Sequence, residues 1–479
     1  MNRSSPLGRR LASRAWLLPL AVLLLPGPAD AADAADDLAA YVRNADESSS
    51  VTVRSTGSWR GSSYRELRLV SQTWRGVPWQ HQLFLIKPKY ARPDQPVLLF
   101  ISGGKWKPAY DAPPVPGELP RDAPIFVRLA ERLRAPVAVL GQVPFQPMFD
   151  GLREDALIAY TFDEYLRTGQ PDWPLLLPMV KAARVAMDAV SADMRAAWQI
   201  PADHFMVAGA SKRGWTTWLT AATADPRVLG IAPMVFDVLD MPRQLAHQEA
   251  TWGEPSVEIQ DYTERQLVER VLSPDGDRLL AIIDPWRYRA RLTQPKLIVL
   301  ATNDAYWPVD AANIYLDGLP GDNRLLYVPN SGHSIRDLPR LISGFAALHR
   351  AIASGRPLPR LTWTHAVAAG KAELRFSSDA PTARARVWFA RSPSRDFRDA
   401  RWRAREVRRG RDGSYTLRLP VAAGNYLALF GEAVYGRGSG RYYLSTGLRV
   451  AGAEGLLPLT AAADDRGGPA PALAPGGSP

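Results

Sequence analysis

The 479-residue chain has no cysteine, and that absence removes several chemistries together. Disulfides, thiolate nucleophiles, cysteine-based zinc centres and a lipidated N-terminal cysteine are all excluded. An exported chain without disulfides must draw its stability from burial of a core. Histidine is scarce, with six in the whole sequence, so a histidine base has few places to be. The apolar run 16–25 falls short of the roughly 20 residues that a membrane-crossing helix needs. No internal repeat is present, and no nucleic-acid-binding motif accompanies the basic composition.

What the N-terminus does contain is ordered. Arg3, Arg9, Arg10 and Arg14 precede the apolar run, and Pro26, Gly27 and the small-residue stretch Ala29-Asp30-Ala31 follow it. That order predicts a secretory signal peptide over residues 1–31 and an exported protein, periplasmic or secreted, with no transmembrane helix in its mature form. Arg9-Arg10 also permits a twin-arginine reading, although the flanking residues match it poorly. The formal charge is +11, of which the first 31 residues carry +3 through four arginines against Asp30. A basic surface suits anionic envelope material or acidic ligands. The even spread of Arg, Ala, Gly and Pro equally fits a general composition bias.

Along residues 80–350, short apolar runs alternate with helical patterns. The runs are 82–86, 97–101, 137–140, 205–208, 231–236, 297–301 and 325–328, and helical spacing is clear at 125–134 and 179–198. Uninterrupted apolar runs of this length suit strands buried on both faces. Their alternation with helices predicts an α/β domain over 32–356 with a mainly parallel sheet. Residues 241–291 interrupt the alternation with a polar, helix-prone stretch, a candidate lid. Beyond residue 357 the runs 372–376, 385–390, 414–419 and 425–430 predict a small β-sandwich of immunoglobulin or fibronectin III type over 357–453. The remainder, 454–479, is Ala-, Gly- and Pro-rich without periodicity and is expected to be disordered. In Arg401-Trp402-Arg403-Ala404-Arg405, alternation puts three arginines on one face and Trp402 with Ala404 on the other. Such a face is either plainly solvated or a contact for anionic envelope material.

The chemistry concentrates at three loops. Residues 205–215 read as a buried strand, a tight turn of small residues and a helix, which is the setting that a nucleophilic serine, Ser211, requires. Arg213 stands where G-x-S-x-G would have its second glycine, and Gly214 follows it. Asp304 follows the run 297–301, and His333 follows 325–328, so the order is Ser, acid, His, each after a strand. In that arrangement His333 takes the Ser211 proton and Asp304 fixes the imidazole tautomer. Asp237 and Asp240 are the rival acids. Of the histidines, His81, His204 and His247 precede the acid, and His349 and His365 fall in a helix pattern and in the C-terminal strands. Gly103 and Gly104, after the run 97–101, are candidates for the oxyanion hole. Lys212 is another, or else a solvated first-turn residue. Trp106, Trp173, Tyr306 and Trp307 are candidate cleft aromatics. The constellation calls for no metal and no cofactor.

Several longer motifs carry a resemblance. Ser71-Gln72-Thr73-Trp74, Trp79-Gln80-His81, the segment Trp173 to Lys181, Gly209-Ala210-Ser211-Lys212-Arg213-Gly214, Asp284-Pro285 with Tyr288, and Pro329-Asn330-Ser331-Gly332-His333 together resemble the PhoPQ-activated pathogenicity-related proteins. That family also includes the autocrine proliferation repressors of amoebae. The resemblance implies an exported α/β-hydrolase-fold protein tied to the PhoP/PhoQ envelope response, and it supplies no substrate. Asn303, where glycine is expected in relatives, and Lys105-Trp106 depart from the pattern. The basic residue after the nucleophile is also similar to the G-C-S-R motif of glucuronoyl esterases. The expectation is therefore a serine hydrolase acting on an ester or peptide carbonyl. The alternatives are a carbohydrate esterase of glucuronoyl type and a secreted signalling or binding protein that keeps the fold without turnover.

Overall fold

A computed structural model describes residues 38–92, 94–112 and 123–459. The expected signal peptide and most of the expected tail lie outside the described residues. Strands β1 (Ser50–Trp59), β2 (Ser62–Trp74) and β3 (Val77–Lys87) form an antiparallel meander at the start. Then come β4 (Val97–Ile101), β5 (Val137–Leu140), β6 (Phe205–Ala210), β7 (Val228–Met234), β8 (Lys296–Ala301) and β9 (Asn323–Val328). These six pair in parallel in the order β5-β4-β6-β7-β8-β9, and β3 joins β5 antiparallel.

The period-2 geometry of a strand divides each of these runs between two cores. In β6, Phe205 and Val207 face one side, and Met206 and Ala208 the other; in β8, Ile298 and Leu300 oppose Leu297 and Val299. The helices Leu176–Trp198 and Lys212–Ala222 cover the first face, while Ala123–Leu133 and Leu338–Ser354 cover the second. Burial on both faces is why these strands read as unbroken apolar runs.

Three differences from the sequence reading have physical causes. The sheet is mixed rather than mainly parallel, because antiparallel strands extend it on both sides of the parallel centre. β1 escaped detection because it is a polar strand exposed at the edge, and β2 because polar residues such as Arg65, Glu66 and Arg68 interrupt its apolar positions. The C-terminal segment is not a free-standing sandwich. Strands β10 (Leu361–Ala368), β11 (Lys371–Ser378) and β14 (Tyr415–Pro420) make a separate three-stranded sheet. Strands β12 (Arg384–Ser392), β13 (Arg403–Glu406), β15 (Tyr426–Tyr435), β16 (Tyr442–Ser445) and β17 (Arg449–Ala451) instead continue the central sheet, through the pairing of Ser445 with Leu325. The two layers close on Leu374, Phe376, Val387, Leu417 and Leu429. β9 would otherwise be an open edge, and β16 covers it.

Two local details follow. Residues 454–459, grouped with the tail in the sequence, return to β17, where the Leu457 N–H donates to Val450 O at 2.8 Å. In the basic strand, Trp402 is buried against Phe430 while Arg401, Arg403 and Arg405 are exposed as expected, but Ala404 is exposed too. β13 pairs only with β12, so all four of its residues face water.

The junction between the C-terminal strands and the helix Leu338–Ser354 holds a buried charge pair. Glu432 on β15, fully buried, receives the Arg340 guanidinium from the helix Leu338–Ser354, and Arg340 also lies over the Tyr443 ring at 4.2 Å. Removing one partner of such a pair strands the other charge away from water. Glu432→Ala is expected to lower unfolding free energy by about 3–5 kcal/mol, read by denaturant titration. A loss below about 1 kcal/mol, the range of exposed pairs, would mean that Arg340 reaches solvent.

Candidate active site

The centre of the site is a turn that the backbone resists. Between β6 and the helix Lys212–Ala222, Ser211 has φ 58° and ψ −128°, a conformation that a residue with a Cβ adopts only under constraint. The constraint is close packing. A Cβ on Gly209 would stand 2.5 Å from the Arg213 carbonyl oxygen, and one on Gly214 would stand 2.7 Å from Met234 O. Gly214 thus lets the helix run against β7, and Arg213 is tolerated one position earlier. The Ser211 N–H donates to Met234 O at 2.9 Å, which fixes the turn to the neighbouring strand.

The loops after β8 and β9 bring the other two groups to this turn. His333 Nε2 lies 2.8 Å from Ser211 Oγ, and His333 Nδ1 lies 2.9 and 3.1 Å from the two oxygens of Asp304. A carboxylate can only accept, so Nδ1 carries the proton and Nε2 is free to accept from the serine hydroxyl. The Tyr306 N–H donates to Asp304 at 3.0 Å, and the Tyr306 ring packs against the imidazole, tilted by 35°, with centroids 4.2 Å apart. The rival acids are elsewhere: Asp237 accepts from the Tyr315 hydroxyl, and Asp240 pairs with Arg243 at 3.3 Å.

The two bases after the serine meet two acids that sequence reasoning missed. Arg213 is buried and gripped by Glu154 through two bonds of 2.6 and 2.7 Å. Burial alone would raise the Glu154 pKa, yet Arg213, helped by Gln146 and Lys212, holds it below the usual range. Lys212 is not solvated: its side chain is 11% exposed, and Nζ lies 2.5 Å from Asp155. Tyr262 and Tyr306 donate their hydroxyls to the same carboxylate at 3.0 and 3.2 Å. The adjacent acids Glu154-Asp155 at the start of the helix Glu154–Thr168, set against adjacent Lys212-Arg213, were the available signal.

Of the remaining candidates, Gly103 lies beside Ser211 and Tyr306 and Trp307 line the site, but Trp106 and Trp173 do not. A Cβ at Gly103 would strike the Arg213 guanidinium at 2.5 Å, which is the packing reason for that glycine. Gly104 has φ 111°, and its carbonyl accepts from Gln146 at 3.0 Å. Trp106 sits between Arg68 and Tyr110, and Trp173 belongs to a cluster with Trp74, Phe149 and Tyr160 under Arg75. Trp173 is an apolar anchor, whereas Trp106 is half-buried and gives its indole N–H to Asp111 at 3.3 Å. Among the described residues no cluster suited to a metal ion occurs, and no helix is long and apolar enough to cross a membrane.

The first part of the stretch 241–291 roofs the serine: Met241, Leu245, Ile259, Tyr262 and Leu267 line a cavity that Ser211 and His333 share. Its second part returns to the body, where the Trp215 indole donates to Ile283 O. Asp284, fully buried, accepts backbone N–H bonds from Asp240, Met241 and Trp286 and so ties the two roots of the stretch together.

The loops that carry Asp304 and His333 are held from a third direction. Asn303 donates its side-chain amide to Ala400 O at 2.7 Å and Arg398 O at 3.0 Å. Asn330 exchanges bonds of 2.8 and 3.1 Å with the Trp402 backbone. Asn303, a departure from the expected glycine, therefore anchors the Asp304 loop to the segment between β12 and β13.

A mixed α/β sheet with a strained serine turn and a hydrogen-bonded Ser–His–Asp line defines the class. Residues 38–398 match the model of the PhoPQ-activated pathogenicity-related proteins, and the chain belongs to that family. It is 28% identical over 441 residues to autocrine proliferation repressor protein A of Dictyostelium discoideum, covering 82% of this chain and 85% of that one. Among solved structures it is similar to an acetyl xylan esterase from a Paenibacillus species, with 15% identity, TM-score 0.46, and coverage of 70% of this chain and 99% of that one. It is also similar to acetyl xylan esterase 1 from a Thermoanaerobacterium species, with 15% identity, TM-score 0.44, and coverage of 67% and 94%.

Asp237 gives the site region a pH signature. Desolvation, reinforced by the Asp304 and Asp310 carboxylates, pushes its carboxyl from 3.8 to about 7 in spite of the Tyr315 bond. A group kept protonated in the fold contributes stability fully below its unfolded pKa, and that contribution is lost as pH rises through its folded pKa. Asp237→Asn, which cannot ionise, should therefore gain melting temperature relative to the parent as pH is raised from about 4 to about 7. A constant difference across that window would mean that Asp237 is ionised in the fold throughout.

Proposed function

We propose that this protein is an exported serine hydrolase of the α/β-hydrolase fold, with Ser211 as nucleophile, His333 as general base and acid, and Asp304 as the orienting acid. The observation that carries the reading is the continuous line of hydrogen bonds from Ser211 through His333 to Asp304, starting at a strained strand-to-helix turn. Ser211 Oγ attacks the carbonyl carbon of an ester or peptide while its proton passes to His333 Nε2. The tetrahedral oxyanion is met by the Lys212 N–H at the helix start and by N–H groups of the 102–104 loop. Collapse breaks the bond to the leaving group, which takes the proton from His333. Water, deprotonated by His333, then releases the acid and restores Ser211.

The glucuronoyl-type alternative draws on a free basic side chain after the nucleophile. Lys212 is instead committed to Asp155, and only its backbone serves this mechanism. The signalling alternative draws on the repressor name of the amoebal relative. A strained serine within reach of an oriented imidazole has a cost that a pure binding protein has no reason to bear. Export rests on the order of charged, apolar and small residues in 1–31, and a tie to PhoP/PhoQ regulation rests on the family.

Labelling of the full chain by a fluorophosphonate probe tests the nucleophile. The Ser211→Ala variant is expected to fold and to lose all labelling; persistent labelling would place the nucleophile elsewhere. For the acid, Asp304→Asn should cut kcat by roughly 10³–10⁴-fold through the wrong imidazole tautomer. The same loss from Asp237→Asn or Asp240→Asn, with Asp304→Asn unaffected, would reassign the acid.

A further inference from the structure

Ser211 and His333 stand at the boundary of two cavities of different character. One lies on the side of the helix Lys212–Ala222, has a volume of about 110 Å³, and is walled by Trp215, Phe236, Met241, Leu245, Leu267 and Val271. The other, of about 320 Å³, lies toward the loop after β4 and runs along His333, Ser334 and Ile335. Resting on the hydrolase reading above, we propose that the smaller cavity is an acyl pocket for a compact hydrocarbon chain of about four to six carbons, sized against the benzene-holding cavity of about 150 Å³.

Three observations lead there. The first is charge. Asp155 and Lys212 are the charged side chains in that wall besides the relay itself, and they neutralise each other at 2.5 Å. The hydroxyls of Tyr262 and Tyr306 already donate to the same carboxylate. A sugar hydroxyl or a carboxylate entering this cavity would give up water and find its partners spent. A hydrocarbon loses nothing there.

The second observation is direction. His333 must deliver its proton to the leaving group; its imidazole borders both cavities, but Ser334 and Ile335, which continue its loop, line only the larger one, and the leaving group is placed there. The acyl half of the substrate is then the half that points under the roof. Trp215, one turn beyond Ser211 on the same helix, is stacked on Phe236 with ring centroids 5.0 Å apart and forms one wall of that space.

The third is size. The roof segment is tied at its two roots through Asp284, and it bounds the space beyond Met241 and Leu245. A space of this volume takes about six carbons, not a long fatty chain.

The test uses the full mature chain with p-nitrophenyl esters from acetyl to dodecanoyl, and in parallel with one acyl group on alcohols of different length. kcat/KM is expected to rise about fourfold per added methylene while each is buried, to peak at butanoyl to hexanoyl, and to fall beyond. It should depend weakly on the alcohol. Leu245→Trp, which fills the cavity, should lower the hexanoyl-to-acetyl ratio by at least about tenfold. Leu267→Ala, which enlarges it, should move the peak to longer chains, with melting curves confirming that each variant is folded. A fluorophosphonate-labelled enzyme with an acetyl optimum, a flat acyl profile or a profile that follows the alcohol overturns the acyl pocket and leaves the hydrolase reading standing. A folded protein with neither labelling nor turnover of any ester overturns both.

Discussion

The close approach of one helix to two strands is the constraint on which the site depends. The helix Lys212–Ala222 lies so near β6 and β7 that Gly209 and Gly214 have no room for a side chain. That contact forces Ser211 into a conformation it would not choose, and the same contact aims the helix start at the space above the sheet. Strain, exposure of the hydroxyl and a focus of backbone N–H groups therefore have one origin. Substituting either glycine would disturb all three together.

Charge around the serine is settled locally. Lys212 and Arg213 bring two positive charges next to Ser211, and Glu154 and Asp155 bring two negative ones from the start of a different helix. The pairing is staggered: Arg213 turns toward the loop after β4 and Lys212 toward the roofed cavity. Each side of the serine thus receives a rigid, neutral wall. The Tyr306 ring, packed against the imidazole, completes the wall and gives its hydroxyl to Asp155.

Much of this was legible in the sequence. Strands buried on both faces announce themselves as apolar runs, so the parallel centre and the three loops at its ends could be read directly, but Asp237 and Asp240 fit the order Ser, acid, His as well as Asp304 does, and only the bonds to His333 separate them. β1 could not be read, because a polar strand exposed at an edge carries no core signal, and β2 was masked by the charged residues among its buried ones. The continuity of the sheet from β9 into β16 was hidden because it rests on a single pairing between residues far apart in sequence. Trp106 and Trp173 show the same limit from the other side. An aromatic residue beside a motif is as easily an anchor as a wall, and only the fold separates the two. Asp155 and Glu154 were within reach, as two acids beside each other with two bases beside each other, but the charge pattern does not say which pairs meet.

The bonds from Asn303 and Asn330 to the Phe397–Trp402 region give the chain an order of assembly. Ser211, Asp304 and His333 are all synthesised before the carbonyls that hold the acid and base loops. A nascent chain that has just passed His333 already holds Ser211, Asp304 and His333 while the clamp on the last two loops is still missing. Full bracing of the Asp304 and His333 loops therefore requires the C-terminal segment as well as the sheet that carries Ser211.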